Sequence, residues 1–345
     1  MNIKKQSKKK ISFVGVGFQS QIAHLVNFSK IPDIELFDIA ENDIELANKV
    51  KNFFSFKGNV FKSIDQVIDN KPDGIAIIVQ RPLISNLVEK CLKEKIPVFS
   101  EKPHVFSLQD YNKIKKIQKS TIWIKGYNRR HAKAVYDLKE NFDLYSKNLG
   151  KLLEIECYCD SGNSWLGSKH LVDPVISKVL VGKTNNYPKF LPKTEYKKYE
   201  KYLNAGSHFL DLLEYFNICL NGKIKSFIDN HLLKALFYSS FKKFNPLVSL
   251  EISTYSHSEW DEQMSFIFQF GKINLNFKSP MYRGGSCDLE IIDINKKTKK
   301  IFKNDWHFEN QANYFINCLK NKSLFKDNGK ISIQLYEMIW KSFLH

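Results

Sequence analysis

The chain has 345 residues, which is too long for one ordinary core and fits about two domains. A hydrophobic fraction of 43% and an aromatic fraction of 14% exclude a chain that is disordered throughout. The formal net charge of +17 suggests an anionic partner such as nucleic acid, but only four of the 53 basic residues are arginine. Arginine binds phosphates and base edges better than lysine does. We therefore expect a lysine-rich surface and no nucleic-acid partner.

The six cysteines include no CxxC pair, so we predict free thiols and no metal site. The lysine-rich start followed by the apolar run 11–18 resembles a signal peptide. That run is short, contains two glycines and lacks a cleavage site, so a solvated tail before a first strand is the better interpretation. No apolar stretch approaches the ~18 residues that a membrane span needs. We therefore expect a cytoplasmic protein with no membrane partner.

Short apolar strands alternate with helical stretches through the first 125 residues. This alternation predicts right-handed crossovers and a doubly wound parallel sheet, with ligands at the carboxyl ends of the strands. Strands are predicted at 11–16, 34–37, 74–79, 97–100 and 121–125, and helices at 20–28, 44–54, 84–93 and after the capping residue Ser107. The residues expected to line one rim are Gly17, Asp38, Gln80, Lys102 and Tyr127.

A glycine turn follows the first strand and opens a helix, which is the context that a dinucleotide fingerprint requires. Gly15 permits the tight turn, Gly17 lets the backbone approach a pyrophosphate, and Ser20 is small enough for close helix–strand packing. Asp38, about 20 residues on, is predicted to accept hydrogen bonds from a ribose diol and to repel a 2′-phosphate, which favours NAD over NADP. The alternative is an Asp that only caps a turn. The turn residues predicted to bind the cofactor are Gly15, Gly17, Phe18, Gln19 and Ser20.

Two further residues match the needs of an alcohol oxidation, which releases a hydride and a proton. Lys102 follows a predicted parallel strand, between Glu101 and Pro103, and its ammonium can stabilise alkoxide character. His208 begins the apolar helical stretch 209–220 and can accept a proton near neutral pH. A lone histidine on such a helix is more often structural. Asp211, one turn later, could orient its ring or cap the helix.

The chain resembles the glucose–fructose oxidoreductase / inositol dehydrogenase / MocA (Gfo/Idh/MocA) family from about residue 11 to the carboxyl end. The resemblance rests on the glycine turn and on the runs Glu101-Lys102-Pro103, Tyr127-Asn128-Arg129-Arg130 and Gly206-Ser207-His208-Phe209-Leu210-Asp211. It implies a Rossmann domain, 1–126, and an α/β substrate-binding and oligomerisation domain, 127–345, with a large open, mainly antiparallel sheet. It also implies a homodimer or homotetramer built partly through that sheet.

The resemblance further implies that Lys102 and His208 lie beside the nicotinamide and the reacting carbon. The chain departs from the family in three respects, one of which is that the Asn-Arg-Arg run ends in His131 rather than in an aromatic residue. Asn204 replaces an Asp four residues before the histidine; an amide can hold a substrate hydroxyl but cannot exchange its proton at neutral pH. Asn86 stands where many members have His. The remaining residues assigned to the cofactor are Gln80, Pro82, Asn86, Glu101, Lys102, Asn128 and Arg129.

The second half contains further strand candidates separated by turn residues, which favours antiparallel pairing. They lie at 152–161, 224–230, 247–256, 264–270, 273–277 and 289–294, with helices at 308–319 and 331–343. The segment 183–202 interleaves lysine with tyrosine and phenylalanine. It is predicted either as a substrate lid that contacts an anionic substrate or as a solvated surface segment. Trp165 and Arg283 are additional pocket candidates, although core packing explains them equally well.

These observations predict an NAD-dependent oxidoreductase that exchanges a hydride with a hydroxyl or keto carbon of a sugar, cyclitol or nucleotide-sugar. Lys102 would polarise the oxygen, His208 would take or return the proton, and Asn204 would orient the substrate. One alternative is a non-catalytic protein of the same fold that senses a dinucleotide. The second is a nucleic-acid-associated protein, suggested only by the charge.

Overall fold

The computed structural model describes residues 7–161, 186–254 and 260–345. The first of its two sheets is parallel throughout and has the strand order β3-β2-β1-β4-β5-β6. This order is that of a doubly wound Rossmann domain and confirms the predicted fold class. Its strands are β1 (Lys9–Val14), β2 (Ile34–Ala40), β3 (Val60–Phe61), β4 (Gly74–Ile77), β5 (Val98–Ser100) and β6 (Trp123–Lys125).

Helices cross over between these strands, and three of them begin at side-chain caps, one of which is Ser63, which accepts a hydrogen bond from Asp65 N at 3.2 Å. Asp43 accepts a hydrogen bond from Leu46 N at 3.0 Å, and Ser107 accepts one from Asp110 N at 3.1 Å, as the capping motif predicts. The helices are a π-helix (Ser20–Leu25) that continues into α1 (Val26–Phe28), then α2 (Ile44–Phe54), α3 (Ile64–Asp69), α4 (Arg81–Lys93) and α5 (Leu108–Gln118). A 3-10 helix (Asn128–His131) and α6 (Lys133–Ser146) follow β6.

The second sheet has the strand order β14-β13-β12-β11-β7-β10-β9-β8, and every pairing except that of β10 with β7 is antiparallel. The mainly antiparallel sheet is thus confirmed. Its strands are β7 (Leu152–Ser161), β8 (Cys219–Ile228), β9 (Leu232–Ser240), β10 (Leu247–Ser253), β11 (Trp260–Phe268), β12 (Gly271–Phe277), β13 (Cys287–Asp293) and β14 (Lys297–Ile301).

One face of this sheet is covered by helices and the other carries exposed side chains. Along β9, Ala235 and Phe237 are buried, whereas Tyr238 and the neighbouring β8 residue Phe227 are more than half exposed. This alternation is that of a strand with one packed face. The helices of this half are α7 (Tyr196–Tyr215), α8 (His307–Lys320) and α9 (Lys330–Leu344).

The carboxyl-terminal helices do not form a separate unit. Phe315 on α8 packs its ring against Phe28 and Phe99 of the first domain, and its ring also lies over Gly74. Helix α9 packs on α7 and on β8. The boundary predicted at residue 126 therefore stays a prediction, because part of the segment 127–345 completes the core of the first domain.

The predicted elements differ from the observed ones in several places. Strand β2 extends three residues beyond position 37. Helix α7 begins at Tyr196 and ends at Tyr215, not at 209–220, because its first turns bury Tyr199 and Tyr202 as well as the apolar run. Strands β3, β9 and β14 and helices α3 and α6 were not predicted; the alternating lysines of β14 resemble a loop. Within the described residues, no helix is both long and apolar enough to span a membrane.

Candidate active site

The glycine turn has the geometry of a cofactor cradle. Gly15 has a φ of +82°, and a Cβ there would lie 2.3 Å from the backbone oxygen of Ile78, so only glycine fits. A Cβ at Gly17 would meet nothing within 4 Å, so that residue faces open space at the start of the helix. The turn therefore combines a close backbone approach with a helix amino end, which suits a pyrophosphate.

The helix after this turn begins as the π-helix. Ser20 is 1% exposed, which agrees with its predicted role as a small packing residue. Gln21 donates to the backbone oxygen of Val16 at 3.1 Å and fixes the turn against the helix. Phe18 and Gln19 are partly exposed beside the cradle, and their contact with a cofactor stays a prediction.

The structure corrects the placement of Asp38. It lies inside β2 rather than at its end, and its side chain is fully buried. Its carboxylate accepts hydrogen bonds from Asn59 N at 2.7 Å and from Asn70 Nδ2 at 2.9 Å. Asp38 thus connects β2 to the loops that contain Asn59 and Asn70, and it does not face the glycine turn. The reason is that β2 is longer than the apolar run in the sequence suggested.

The acid at the end of β2 is Glu41, which the sequence reasoning missed. Its Oε2 accepts a hydrogen bond from Val16 N in the glycine turn at 3.0 Å, and its Oε1 accepts one from Asn42 N at 2.7 Å. A carboxylate held against the turn from the neighbouring strand is placed to accept ribose hydroxyls and to repel a 2′-phosphate. The signal in the sequence was the pair Ile39 and Ala40, which prolong the apolar strand beyond Asp38.

Lys102 lies two residues beyond the end of β5 and reaches across to α7. Its Nζ donates to the backbone oxygen of Asn204 at 3.0 Å and to Asn204 Oδ1 at 2.9 Å. Burial lowers the pKa of Lys102 to about 8, although the carboxylate of Glu101 opposes this shift. The structure thus brings together residues that are 102 positions apart in the sequence.

Glu101 holds the loop that carries Lys102 in place through two hydrogen bonds. Its Oε1 accepts a hydrogen bond from His24 Nε2 at 2.7 Å, and its Oε2 accepts one from Lys102 N at 3.0 Å. Burial alone would raise the pKa of Glu101, but the His24 contact and the Lys102 charge bring it below its ordinary value. Because Glu101 is 8% exposed and both its oxygens accept protein hydrogen bonds, it positions Lys102. Its predicted contact with the cofactor stays a prediction.

His208 lies one helical turn after Asn204 on α7, so both side chains project from the same face. Its ring is 9% exposed, and within the described residues its Nδ1 has no hydrogen-bond partner. Burial, reinforced by the charges of Lys102 and Arg129, lowers the pKa of His208 well below its ordinary value. The imidazole is therefore neutral near pH 7. Tyr127 packs edge-on against it, with ring centroids 6.4 Å apart.

Arg129, predicted to contact the cofactor, is directed elsewhere. It is 1% exposed and forms a two-pronged ion pair with Glu262 on β11, with Nε donating at 3.0 Å. Its guanidinium also lies over the rings of Trp260 and Phe277. This pair links the segment after β6 to β11, and the predicted contact of Arg129 with the cofactor stays a prediction. Its neighbour Asn128 is buried, with an Oδ1 that lacks a partner among the described residues, and its predicted role stays open.

Asp211 does not orient His208. Its carboxylate accepts two hydrogen bonds from Arg130, at 2.8 and 2.5 Å, and a third from Asn328 Nδ2 at 2.9 Å. Burial raises the pKa of Asp211 to about 6, against the effect of Arg130. This cluster fixes α7 to the end of the first domain and to the segment before α9.

The predicted residues on α4 lie at its amino end. Gln80 is the residue before the helix, Pro82 is in its first turn, and both are partly exposed. Asn86 is exposed in the second turn. Their contacts with a cofactor stay predictions.

The described part of the segment 183–202 is not a lid. Most of it is a short 3-10 helix and the first turns of α7, in which Tyr199 is fully buried and donates to the backbone oxygen of Phe106. Lys198 pairs with Glu195 at 2.6 Å, and Lys201 donates to the backbone oxygen of Asn230. The buried tyrosines explain the aromatic spacing as helix packing. Residues 183–185 lie outside the described residues.

The additional pocket candidates gain no support. Trp165 lies outside the described residues. Arg283 stacks over Trp306 at 4.8 Å and donates to the backbone oxygen of Ile22 at 3.4 Å, so packing accounts for it. In the part of the chain that the structure describes, no group of three or more His, Cys, Asp or Glu side chains is arranged to hold a metal ion. All six cysteines are free thiols.

Residues 9–123 match the family model described as an oxidoreductase family with an NAD-binding Rossmann fold, GFO_IDH_MocA. This match confirms the family resemblance, the NAD cofactor and the oxidoreductase class. No curated protein sequence matches the chain.

Solved structures with the same fold cover nearly the whole chain. A dehydrogenase (MviM) from Clostridium difficile is 17% identical with a TM-score of 0.71, covering 97% of this chain and 99% of its own. UDP-N-acetylglucosamine 3-dehydrogenase GnnA from Acidithiobacillus ferrooxidans is 12% identical with a TM-score of 0.71, covering 97% and 98%. KijD10, a 3-ketoreductase from Actinomadura kijaniata in complex with NADP and TDP-benzene, is 10% identical with a TM-score of 0.72, covering 98% of both chains. At these identities the likeness concerns the fold.

Proposed function

We propose, from the membership of residues 9–123 in the Gfo/Idh/MocA oxidoreductase family, that this chain exchanges a hydride between NAD and a hydroxyl or keto carbon of a sugar, cyclitol or nucleotide-sugar. The observation that carries the proposal is the contact of Lys102 Nζ with Asn204, one turn before His208. This contact supports the proposal, because it joins the Lys102 ammonium to α7 one turn before the His208 imidazole, at the carboxyl end of a parallel sheet, where α/β folds bind ligands.

Each residue of the site has a role in this proposed reaction. The Gly15–Gly17 turn holds the pyrophosphate, and Glu41 accepts the ribose hydroxyls. Bound NAD supplies the hydride acceptor or donor. Lys102 donates a hydrogen bond to the reacting oxygen and stabilises its negative charge. Asn204 orients the substrate, and His208 contacts the reacting group as a neutral ring.

A nucleotide-linked sugar is the substrate that we favour within this class. GnnA acts on UDP-N-acetylglucosamine, and KijD10 was crystallised with TDP-benzene. The formal charge of +17 adds general attraction for a diphosphate. Lys198 and Lys201 add nothing to this attraction, because both are engaged with protein groups.

We also propose a homodimer or homotetramer that uses the exposed face of the second sheet. Phe227 and Tyr238 are 55% and 62% exposed on neighbouring strands β8 and β9 of that face. Two large apolar side chains on one sheet face suit a self-complementary contact. Sedimentation of the wild-type protein and of a Phe227→Ser, Tyr238→Ser double variant tests this, and a wild-type monomer at micromolar concentration contradicts it.

The test of the proposed function is NADH binding and turnover measured side by side. Fluorescence titration gives NADH affinity, and absorbance at 340 nm follows turnover on a panel of oxidised and reduced sugars, cyclitols and nucleotide-sugars. We expect turnover on at least one of them, lost in Lys102→Ala but kept in the surface control Lys57→Ala. Tight NADH binding without turnover on any of them would instead support the dinucleotide-sensing alternative, which the neutral amide of Asn204 favours.

A further inference from the structure

A groove of about 840 Å³ lies apart from the residues proposed to bind the cofactor and the substrate. Three segments line this α5–α9 groove, which are helix α5, the residues 188–190 before α7, and helix α9. Its volume falls in the range of about 300–1,000 Å³ that is usual for small-molecule sites. The groove is therefore large enough to hold a second ligand.

One wall of the α5–α9 groove is apolar and mostly aliphatic. Leu108, Ile117 and Phe190 are partly buried against the main core, and Pro188 is buried beside Phe190. One face of the Phe190 ring is covered by Lys341, whose Nζ lies 4.9 Å from the ring centroid. The wall thus offers aliphatic contact more than an open aromatic surface, which suits a hydrocarbon chain.

The rest of the groove is basic. Four lysines and one acid line it: Lys113, Lys116, Lys189, Lys341 and Glu337. Lys113 pairs with Glu89 at 2.5 Å, and Glu89 lies outside the groove. Lys116 and Lys189 are exposed, and neither forms a hydrogen bond or an ion pair among the described residues. The groove therefore carries an excess of positive charge that attracts an anion.

Glu337 does not remove this excess. Its carboxylate is buried, and its Oε1 accepts a hydrogen bond from Leu108 N, at the start of α5, at 2.7 Å. Its Oε2 lies 4.0 Å from Lys341 Nζ. The negative charge of Glu337 is thus used by the amino end of a helix and by Lys341. Lys116 and Lys189 stay available for the anionic group of a ligand.

We propose that the α5–α9 groove binds a medium-chain aliphatic carboxylate, with its chain against Leu108, Ile117 and Pro188 and its carboxylate at Lys116 and Lys189. This inference goes beyond the proposed function and does not depend on it. The lysines select an anion, and the aliphatic wall selects a hydrocarbon chain over a sugar or a nucleotide. A stable protein contact buries about 800 Å² on each partner, so a protein would have to extend well beyond the groove.

The first experiment is isothermal titration calorimetry of the full chain with acetate, hexanoate, octanoate and decanoate, below the micelle concentration. We expect one saturable site whose affinity rises about two- to fourfold with each added methylene. Decyltrimethylammonium, which has the same chain and the opposite charge, should bind at least about tenfold more weakly than decanoate. The charge-reversing double variant Lys116→Glu, Lys189→Glu should lose at least about tenfold in decanoate affinity. The double variant Lys30→Glu, Lys57→Glu makes the same change in net charge on exposed residues elsewhere, and it should bind decanoate like the wild type.

The second experiment locates the bound chain. Acetic anhydride labels accessible amines, and mass spectrometry measures the labelling of each lysine with and without decanoate. We expect decanoate to protect Lys116 and Lys189 and to leave Lys57 unchanged. Equal affinities for acetate and decanoate, equal losses in the two double variants, or protection spread over the whole surface would overturn the proposal.

Two further results would assign the groove to another occupant and overturn the proposal as well. The first is binding of an acidic, leucine-rich peptide without binding of decanoate, which would indicate a protein partner. The second is a wild-type oligomer that Lys116→Glu, Lys189→Glu dissociates without any added ligand, which would indicate a second copy of this chain. NADH binding and turnover are measured separately, so the proposed function stands or fails independently of these results.

Discussion

Two lysines at the ends of neighbouring strands of the Rossmann sheet have different surroundings. Lys125 ends β6, is 1% exposed, pairs with Asp327 at 2.6 Å and lies over the ring of Trp123 at 4.2 Å. Lys102 lies two residues after β5, is partly exposed and, among the described residues, donates its side-chain hydrogen bonds to the neutral oxygens of Asn204. Burial lowers the pKa of each to about 8. The same ammonium is thus compensated by a carboxylate in one case and left available in the other.

This difference separates a structural lysine from a functional one. Asp327 precedes α9 and also pairs with Lys115, so the Lys125 pair fastens the carboxyl-terminal segment to the first domain. Lys102 forms no such ion pair among the described residues, and a charge without an ion-pair partner costs stability. A group that is retained at such a cost is a candidate functional residue. The comparison predicts that changes around Lys125 affect stability and that changes at Lys102 affect activity.

The largest effect is expected for Asp327→Asn. It leaves the Lys125 ammonium buried without a counter-charge, so the free energy of unfolding should fall by about 3–5 kcal/mol. Urea unfolding followed by circular dichroism measures this. Turnover per folded molecule should stay close to that of the wild type. A loss below about 1 kcal/mol would mean that the Asp327 carboxylate does not compensate the charge of Lys125, and that the two lysines do not differ in this respect.

Lys102→Ala is expected to reverse that pattern. Turnover should fall by at least about a hundredfold, the usual worth of a group that stabilises charge at the reacting atom. The melting temperature should be unchanged or higher, because the variant removes a buried charge that lacks a counter-charge. Steady-state kinetics and calorimetry on the same preparation test both parts. Near-normal turnover would remove Lys102 from the mechanism.

Glu41→Ala is expected to weaken NAD binding by about tenfold to a hundredfold, which corresponds to hydrogen bonds to a charged group. It should also narrow the preference for NAD over NADP, because the carboxylate that repels a 2′-phosphate is gone. Fluorescence titration with both cofactors measures this. Asp38→Asn serves as the matched control and should leave the affinity of the folded protein unchanged. Equal losses in both variants would restore Asp38 to the site.

The smallest effect concerns acid stability. Burial alone would raise the pKa of Asp327, but the charges of Lys125 and Lys115 hold this pKa at about 2, below its ordinary value of 3.8. The unfolded chain therefore binds the extra proton first as pH falls, so this contribution is complete above about pH 4 and is lost between about pH 4 and 2. Unfolding at a series of acid pH values should show a shallower loss in Asp327→Asn than in the wild type. An equal loss of stability with falling pH in the two proteins would contradict the ion pairs of Asp327 with Lys125 and Lys115.

The sequence predicted the parts that depend on local pattern. The parallel sheet, the glycine turn and the Ser107 cap follow from apolar runs, glycine and capping residues, and all three are present. The loop that carries Lys102 was also predicted at a strand end. The position of Glu41, the acid that we propose for the ribose, was not predicted. The apolar pair Ile39 and Ala40, which prolongs β2 by pairing with β1 and β3, was not counted as part of the strand.

Long-range contacts account for the other corrections. Arg129 was assigned to the cofactor because it follows the last strand of the first domain, but Glu262, 133 residues later, binds it. The tyrosines of 196–202 suggested a lid, yet Tyr199 packs against Tyr336 and Trp340 of α9, whose position depends on the whole tertiary fold. Such partners are set by the pairing of distant elements and not by the neighbours in the chain.

The central claim is that Lys102, Asn204 and His208 face one substrate beside the nicotinamide. A crystal structure of the protein with NADH tests it most directly, through the distances from nicotinamide C4 to Lys102 Nζ and to the His208 ring. Lys102 Nζ and the His208 ring should lie on the same side of the nicotinamide. They should leave room for one carbonyl within hydrogen-bond reach, about 3 Å, of Lys102 Nζ. A nicotinamide turned away from Lys102, or one that separates it from His208, would contradict the account.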